Sequence, residues 1–191
     1  VQRPAASSAA RWEANSANKM KKALFAIITL LFFSTAWAVE KNIILTTPTG
    51  EIHGILLMPD GEGPCPLVII IAGSGATDMN GNTIGSELQN NSLKMLAEGL
   101  AAKGIASLRY DKRGIGKSMA AVPSEEELRF EHYIDDAAAW ADMFSSDKRF
   151  NTIAIAGHSE GSLIGMVAAQ KSTAVKAYIS IAGCGRPAHE V

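Results

Sequence analysis

The sequence of 191 residues predicts an α/β fold, with a mostly parallel sheet that helices cover on both faces. Short apolar segments alternate along the chain with segments whose apolar residues recur at helical spacing. The run Leu-Val-Ile-Ile-Ile at residues 67–71 has no polar alternation, which is typical of a central strand buried on both faces. Strict alternation of strand and helix implies parallel strands joined by right-handed crossovers.

Six strands can be placed from their apolar and β-branched residues. The first two are expected to form a hairpin, because the segment Thr47-Pro48-Thr49-Gly50 between them favours a turn. The strands are predicted at residues 42–45, 52–58, 67–71, 105–108, 152–156 and 175–181.

Three helices are expected between these strands. Gly104 should end the first helix, since glycine tolerates the left-handed conformation that commonly follows a helix. The second helix is expected to begin at a capping box formed by Ser124 and Glu127. The helices are predicted at residues 92–103, from 124 to 144, and at 162–171.

Composition and charge favour a globular domain and exclude a basic nucleic-acid-binding face. Hydrophobic residues make up 47% of the chain and charged residues 19%, with a net charge of −1. These proportions are not those of a disordered tail, a collagen or a coiled coil. Five basic residues and one acidic residue precede Val39, and from Val39 onward acidic residues outnumber basic ones. A nucleic-acid partner is therefore not expected.

The segment 20–38 has the pattern of a secretory signal. Met20-Lys21-Lys22 is followed by the apolar residues 23–33 and by Ala36-Trp37-Ala38, a small-x-small cleavage site. We expect cleavage after Ala38, export to the periplasm or medium, and no membrane span in the domain 39–191. A membrane anchor is the alternative, although the apolar run is shorter than the roughly 20 residues that cross a bilayer. Residues 1–19 are interpreted as upstream or added sequence without regular structure.

Cys65 and Cys184 are expected to be free thiols despite the predicted export. Cys65 precedes the strand 67–71, whereas Cys184 follows the strand 175–181. In a parallel sheet these positions lie at opposite edges, too far apart for a disulfide.

The strongest chemical signal is Gly157-His158-Ser159-Glu160-Gly161, which stands between a predicted strand and a predicted helix. In this context G-x-S-x-G indicates a nucleophile elbow, with Ser159 as the nucleophile. Gly157 and Gly161 are required where a Cβ would strike a neighbouring strand or helix. The helix dipole and the backbone N–H of Glu160 would then face a developing oxyanion.

Three motifs together resemble the α/β-hydrolase superfamily, and in particular its exported serine esterase-like branch. They are Ile71-Ala72-Gly73-Ser74-Gly75 followed by residues 78–82, the block 109–118, and the elbow at residues 157–161. The resemblance implies an α/β-hydrolase fold of eight strands, of which about six are present. It also implies hydrolysis of small-molecule carboxylic esters through an acyl-enzyme on Ser159, with the backbone N–H of Ser74 as a second oxyanion donor.

The block 109–118 also looks like the end of a phosphate-binding loop, but its spacing does not fit. That loop would need a glycine where Asp111 stands. The block is interpreted instead as a family loop in which Asp111 and Arg113 brace the floor of the site. Because no Cys/His spacing suggests zinc and Gly73-Ser74-Gly75 lacks the third glycine of a dinucleotide fingerprint, we predict neither a metal nor an organic cofactor.

The base and the acid that a serine nucleophile requires are not assigned by these motifs. The family's order places both beyond the sixth strand, so the chain is expected to be a C-terminally incomplete hydrolase core. His189 is the candidate base, and Glu190 is its sequence-local partner. The other histidines, His53, His132 and His158, are interpreted as packed or surface residues. A peptidase or acyltransferase of the same fold, or a catalytically inactive fragment, remains an alternative; no oligomeric state is predicted.

Overall fold

The computed structural model describes residues 16, 19, 38–87, 89–122 and 124–185. All helices and strands below belong to one unit, Trp37–Val191. The predicted leader up to residue 37 lies outside the described residues, as do His189 and Glu190.

The described strands form one six-stranded sheet in the order β1-β2-β4-β3-β5-β6. The hairpin partners β1 and β2 are antiparallel, and β2 is antiparallel to β4. The remaining neighbours are parallel, which confirms the predicted mostly parallel sheet. The strands are β1 (Val39–Thr47), β2 (Gly50–Met58), β3 (Cys65–Ile71), β4 (Ala106–Tyr110), β5 (Phe150–His158) and β6 (Val175–Ile181).

Three α-helices connect these strands, and two short 3₁₀ turns accompany them. The helices are α1 (Ser92–Ala101), α2 (Phe130–Phe144) and α3 (Glu160–Lys171), and the 3₁₀ turns are Gly116–Ala121 and Glu125–Glu127. Gly104 has a φ of 77° and follows α1, as its sequence position predicts. Within the described part of the chain, no helix combines the length and apolar character needed to cross a membrane.

Strand β3 is buried on both faces, as its unbroken apolar run predicts. Leu67, Ile69 and Ile71 belong to the core cluster that includes Ala137 of α2 and Ile164 of α3. Val68 and Ile70 belong to the opposite cluster, with Leu93 and Ala97 of α1. Helices therefore cover both faces, and the carboxyl end of β3 is held between α1 and α3.

The predicted start of the second helix at Ser124 is wrong. The local signal is present, because the backbone N–H of Glu127 donates to Ser124 Oγ at 3.3 Å, but it closes only a 3₁₀ turn. Arg129 is extended, with φ −124° and ψ 153°, and α2 begins after it at Phe130. The backbone N–H of Arg129 donates to His132 Nδ1 at 3.2 Å, so His132 satisfies a donor at the true helix start.

The third helix begins at Glu160, two residues before its predicted start at Ser162. Ser159 is the residue that precedes the first helical turn, so the helix starts directly after the predicted nucleophile. The elbow therefore places the helix N-terminus closer to Ser159 than the sequence pattern predicted.

Candidate active site

Three loops meet at one edge of the sheet. Strands β3, β4 and β5 are neighbours and run parallel, so their carboxyl ends lie at the same edge. The loops that follow them carry residues 72–82, residues 111–118 and the elbow. In open α/β sheets this edge is where ligands bind.

Ser159 adopts a backbone conformation that L-residues rarely occupy, with φ 53° and ψ −118°. Its backbone N–H donates to the Ile181 carbonyl at 2.9 Å, and its carbonyl accepts from the Ser162 N–H at 2.9 Å. These bonds join the elbow to β6 on one side and to α3 on the other. The surrounding structure thus maintains a strained turn at the residue that the motif singles out.

Gly157 and Gly161 stand where backbones touch. A Cβ built on Gly157 would lie 2.0 Å from the Gly161 carbonyl oxygen. A Cβ on Gly161 would lie 2.5 Å from the Ile71 oxygen and 2.7 Å from that of Ala72. Since main-chain atoms cannot swing aside like a flexible side chain, a Cβ at Gly157 would require a shift of α3 against β5, and a Cβ at Gly161 a shift of α3 against β3.

The structure brings the loop after β3 next to Ser159. A Cβ built on Gly73 would lie 3.3 Å from Ser159 Cβ and 3.1 Å from His158 Nδ1. Ser74 and Ser159 line the same cleft, which has a volume of about 180 Å³. The Ser74 carbonyl accepts from Thr77 Oγ1 at 3.0 Å, which holds the turn of the loop.

Glu160 is the first residue of α3, and the first N–H groups of a helix have no acceptor within it. The backbone N–H of Glu160 therefore lies at the helix N-terminus, next to Ser159. The side chain of Glu160 is directed toward Lys112, because Glu160 Oε1 accepts a hydrogen bond from Lys112 Nζ at 2.6 Å.

Lys112 is the site residue that the sequence analysis missed. It belongs to the loop after β4, is 3% exposed, and also donates through Nζ to the Gly73 carbonyl at 2.7 Å. Its ammonium lies 5.1 Å from the centre of the Tyr133 ring, within range of a cation–π contact. Burial raises the pKa of Tyr133, and the negative charge of Glu160 adds to that rise. No local pattern marks Lys112, but Lys112 and Glu160 follow the strands on either side of β3 and carry opposite charges.

Asp111 and Arg113, on either side of Lys112, hold loops together without reaching Ser159. Asp111 accepts from the backbone N–H groups of Met79 at 2.7 Å and Lys117 at 2.8 Å. Burial raises the pKa of Asp111 despite these bonds. Arg113 forms a two-pronged ion pair with Asp136 of α2, at 2.6 and 2.8 Å, and the hydrogen bond to Asp136 raises the pKa of Arg113.

None of the three histidines within the described residues hydrogen-bonds Ser159. His53 on β2 has its Nε2 3.7 Å from Glu51 Oε2. His132 accepts a hydrogen bond from the backbone N–H of Arg129 at the start of α2. His158 lines the same cleft as Ser159, with its ring against Gly73. Among residues 38–87, 89–122 and 124–185, no group of three or more His, Cys, Asp or Glu is placed to hold a metal ion.

A second cleft opens on the other side of Ser159, with a volume of about 570 Å³. Its walls include Leu163 and Met166 of α3, Tyr178 of β6, and Cys184 beyond that strand. Cys184 is exposed and free, and Cys65 at the start of β3 is also free. Ser159 therefore lies between a small cleft beside the Gly73 loop and a larger, mostly apolar one.

A known protein family matches the second half of the chain. Residues 89–191, more than half of the chain, match the family described as serine aminopeptidase, S33. The chain belongs to this family of α/β hydrolases. The superfamily that the three motifs predicted is thereby confirmed.

The most similar relatives include esterases and serine hydrolases. Esterase EstD from Thermotoga maritima is 33% identical over 154 residues, which cover 80% of this chain and 34% of that protein. The chain thus spans about a third of the length of this curated relative. An α/β serine hydrolase without a lid from Xanthomonas campestris superposes with a TM-score of 0.59 at 24% identity, over 81% of this chain and 65% of that one. Est1E from Butyrivibrio proteoclasticus, with ferulic acid bound, superposes with a TM-score of 0.55 at 27% identity. The superposition covers 71% of this chain and 50% of Est1E.

Proposed function

We propose that the chain is the core of a serine hydrolase that cleaves carboxylic esters through an acyl-enzyme on Ser159. The observation that carries this proposal is the strained elbow at Ser159, held between two clefts and next to the loop 73–74. The small cleft is lined by Ser74 and the larger one by Glu160, so each cleft borders one proposed oxyanion donor. The larger cleft also offers an apolar wall to an acyl or alkoxy group.

In the proposed reaction Ser159 Oγ forms a bond to the ester carbonyl carbon, and the carbonyl electron pair moves to the oxygen. The backbone N–H groups of Ser74 and Glu160 donate to that oxyanion. Collapse of the intermediate breaks the bond to the alkoxy oxygen, which leaves as the alcohol and produces the acyl-enzyme. Water then attacks the acyl carbon and releases the acid with regeneration of Ser159.

The proton of Ser159 Oγ requires a base, which later protonates the leaving alkoxide. In deacylation the same base takes a proton from the attacking water and returns it to Ser159 Oγ. Since no described histidine hydrogen-bonds Ser159, the proposal assigns this role to a histidine outside the described residues. His189 is the candidate in this chain, and a His189→Ala variant tests it directly.

A second candidate is hydrolysis of an amide at the N-terminus of a peptide, which the family description favours. The same nucleophile and oxyanion donors would serve either bond. Ester hydrolysis is preferred because the curated relative is named an esterase and Est1E holds an aromatic carboxylic acid.

The test compares the full chain with its Ser159→Ala variant, using p-nitrophenyl acetate and butyrate for esters and aminoacyl p-nitroanilides for amides. Labelling by a fluorophosphonate probe reports the nucleophile separately. Ser145→Ala serves as control, because Ser145 is an exposed serine at the end of α2. We expect ester turnover and labelling to be lost in Ser159→Ala and kept in Ser145→Ala. A folded wild-type chain that neither turns over nor labels would contradict the proposal.

We also propose that the chain is exported, on the pattern of residues 20–38. Expression of the full chain in a bacterial host, followed by N-terminal sequencing of the periplasmic fraction, tests this. A mature protein that starts at Val39 is the expected result; an uncleaved chain confined to the cytoplasm would contradict it.

A further inference from the structure

One buried ammonium group connects the two halves of the proposed oxyanion hole. Lys112 Nζ donates to the Gly73 carbonyl at 2.7 Å and to Glu160 Oε1 at 2.6 Å. These acceptors lie 39 and 48 residues away in the chain, one in the loop after β3 and the other in the first turn of α3. Lys112 itself makes no hydrogen bond to Ser159.

The bond to the Gly73 carbonyl determines the direction of a neighbouring donor. The peptide unit between Gly73 and Ser74 is planar, and in a trans peptide the carbonyl and the following N–H point in opposite directions. No cis peptide occurs in the described residues. Lys112 on the carbonyl side therefore directs the Ser74 N–H away from itself, and rotation of this peptide would break the bond to Nζ.

The second bond restrains the other proposed donor. The carboxylate of Glu160 is tied to Lys112, and its backbone N–H lies at the same residue, at the start of α3. Lys112 thus holds the Ser74 donor through its own peptide unit, and the Glu160 donor through the side chain of the residue that carries it. Their separation depends on the position of Nζ as well as on the strands that carry them.

The chemistry of lysine suits this position. Its ammonium offers three donors on a flexible stem, so it can serve a carbonyl and a carboxylate in different directions. A buried cation is costly unless it is paired, and here Glu160 supplies the charge while the Tyr133 ring covers a further side. Arg113, the next residue, is also buried and paired, but its partner Asp136 belongs to α2 and not to the site.

We propose that Lys112 is a positioning residue, which sets the orientation of the Ser74 and Glu160 backbone donors toward the oxyanion. This inference rests on the proposed function, because it assumes that Ser159 is acylated. A purely structural lysine would affect folding without selective loss of transition-state stabilisation.

The test replaces Lys112 with methionine, which retains the stem and removes the donors. We expect kcat for p-nitrophenyl butyrate to fall by about tenfold to a hundredfold. This loss is smaller than the roughly hundredfold to thousandfold loss that removal of a whole oxyanion donor causes. KM should stay within about twofold, since the ground-state ester does not use these donors fully. The affinity for propylboronic acid, whose tetrahedral serine adduct mimics the transition state, should fall in parallel with kcat/KM.

Asp136→Asn is the matched control, because it disrupts a buried ion pair of the same loop without contact to either donor. It should lower stability but leave kcat and boronic acid affinity within about twofold of the wild type. If Lys112→Met does not fold, Glu160→Gln replaces it, since that side chain is about one-third exposed. In Glu160→Gln, a threefold or greater loss of kcat at constant KM would support the proposal, and an unchanged kcat would overturn it.

A crystal structure of Lys112→Met provides a readout that does not depend on activity. Rotation or disorder of the Gly73–Ser74 peptide is the expected result. A peptide that keeps its orientation, or a kcat within threefold of the wild type, would overturn the proposal. If turnover survives Ser159→Ala, the proposed function itself fails, and the peptide orientation alone then decides the role of Lys112.

Discussion

Gly161 and Ile71 are in backbone contact, since a Cβ at Gly161 would lie 2.5 Å from the Ile71 carbonyl oxygen. Helix α3 therefore packs directly on the end of β3, with no side chain between the two main chains at this point. Because Ser159 precedes α3 and Gly73 follows β3, this contact sets the distance between the proposed nucleophile and the loop that faces it.

Replacement of Gly161 by alanine should therefore separate α3 from β3. The new methyl group would meet carbonyl oxygens that cannot turn aside, so we expect a loss of about 1–3 kcal/mol or more in the free energy of unfolding. Urea denaturation measures it. Gly99→Ala is the control, because Gly99 lies in α1 with open space around its Cβ position and no positive φ. That variant should gain about 0.5–1 kcal/mol. Equal effects at the two positions would contradict the packing described here.

Two neighbouring aspartates of α2 should differ sharply in their contribution to stability. Asp136 and Arg113 are 4% and 6% exposed, whereas Asp135 and its partner Lys171 are more than half exposed. In Asp136→Asn an amide NH₂ faces the guanidinium and leaves a buried charge unpaired, so we expect a loss of about 3–5 kcal/mol. Asp135→Asn should cost about 0–1 kcal/mol. Denaturant unfolding of both variants checks this, and similar losses would show that burial does not decide the strength of these pairs.

The strain at Ser159 predicts a stabilising substitution. Glycine accepts the backbone conformation of Ser159 without the Cβ penalty, whereas alanine retains that penalty. We expect Ser159→Gly to be more stable than Ser159→Ala by about 1 kcal/mol. This difference is the backbone strain that glycine relieves, reduced by the conformational entropy that glycine adds to the unfolded chain. Thermal unfolding of the two variants, both without Oγ, measures the difference. A Ser159→Gly protein less stable than Ser159→Ala would indicate that the backbone is not strained.

The raised pKa of Asp111 predicts a pH-dependent contribution to stability. Because burial raises this pKa, the folded chain binds the proton more tightly than the unfolded chain does. The contribution of Asp111 is then largest in acid, and it declines as the pH rises from the unfolded pKa to the higher folded pKa. We expect the stability difference between wild type and Asp111→Asn to shrink over that range. Denaturant titrations at several pH values measure it, and a difference that widens with pH would mean that the folded pKa is lowered.

The sequence could predict those parts of the fold that depend on repeated local patterns. The unbroken apolar run of β3 identified a strand buried on both faces, and the glycines around Ser159 identified the strand–turn–helix unit. In both cases many residues of one segment carry the same signal. The start of α2 was mispredicted because the Ser124–Glu127 signal rests on a single hydrogen bond, which a 3₁₀ turn satisfies as well as a helix does.

The role of Lys112 could not be predicted in the same way, because its partners are distant in the chain. Its contacts exist only once β4 and β5 lie on either side of β3, which brings the loop after β4 close to the loop after β3 and to the start of α3. The motif that contains Lys112 directed attention to Asp111 and Arg113, whose bonds hold loops. A base for Ser159 was not found among the described residues, and the sequence supplied His189 as a candidate without a geometry to test it.

The backbone contacts at Gly157 and Gly161 also affect how the protein can vary in evolution. At Gly157 and Gly161, main-chain atoms of β3, β5 and α3 in direct contact determine the position of Ser159. We therefore expect that core residues such as Leu67 and Ile69 can be exchanged for others of similar volume with little displacement of the nucleophile. We therefore expect the sequence of the interior to diverge among relatives more readily than the geometry around Ser159.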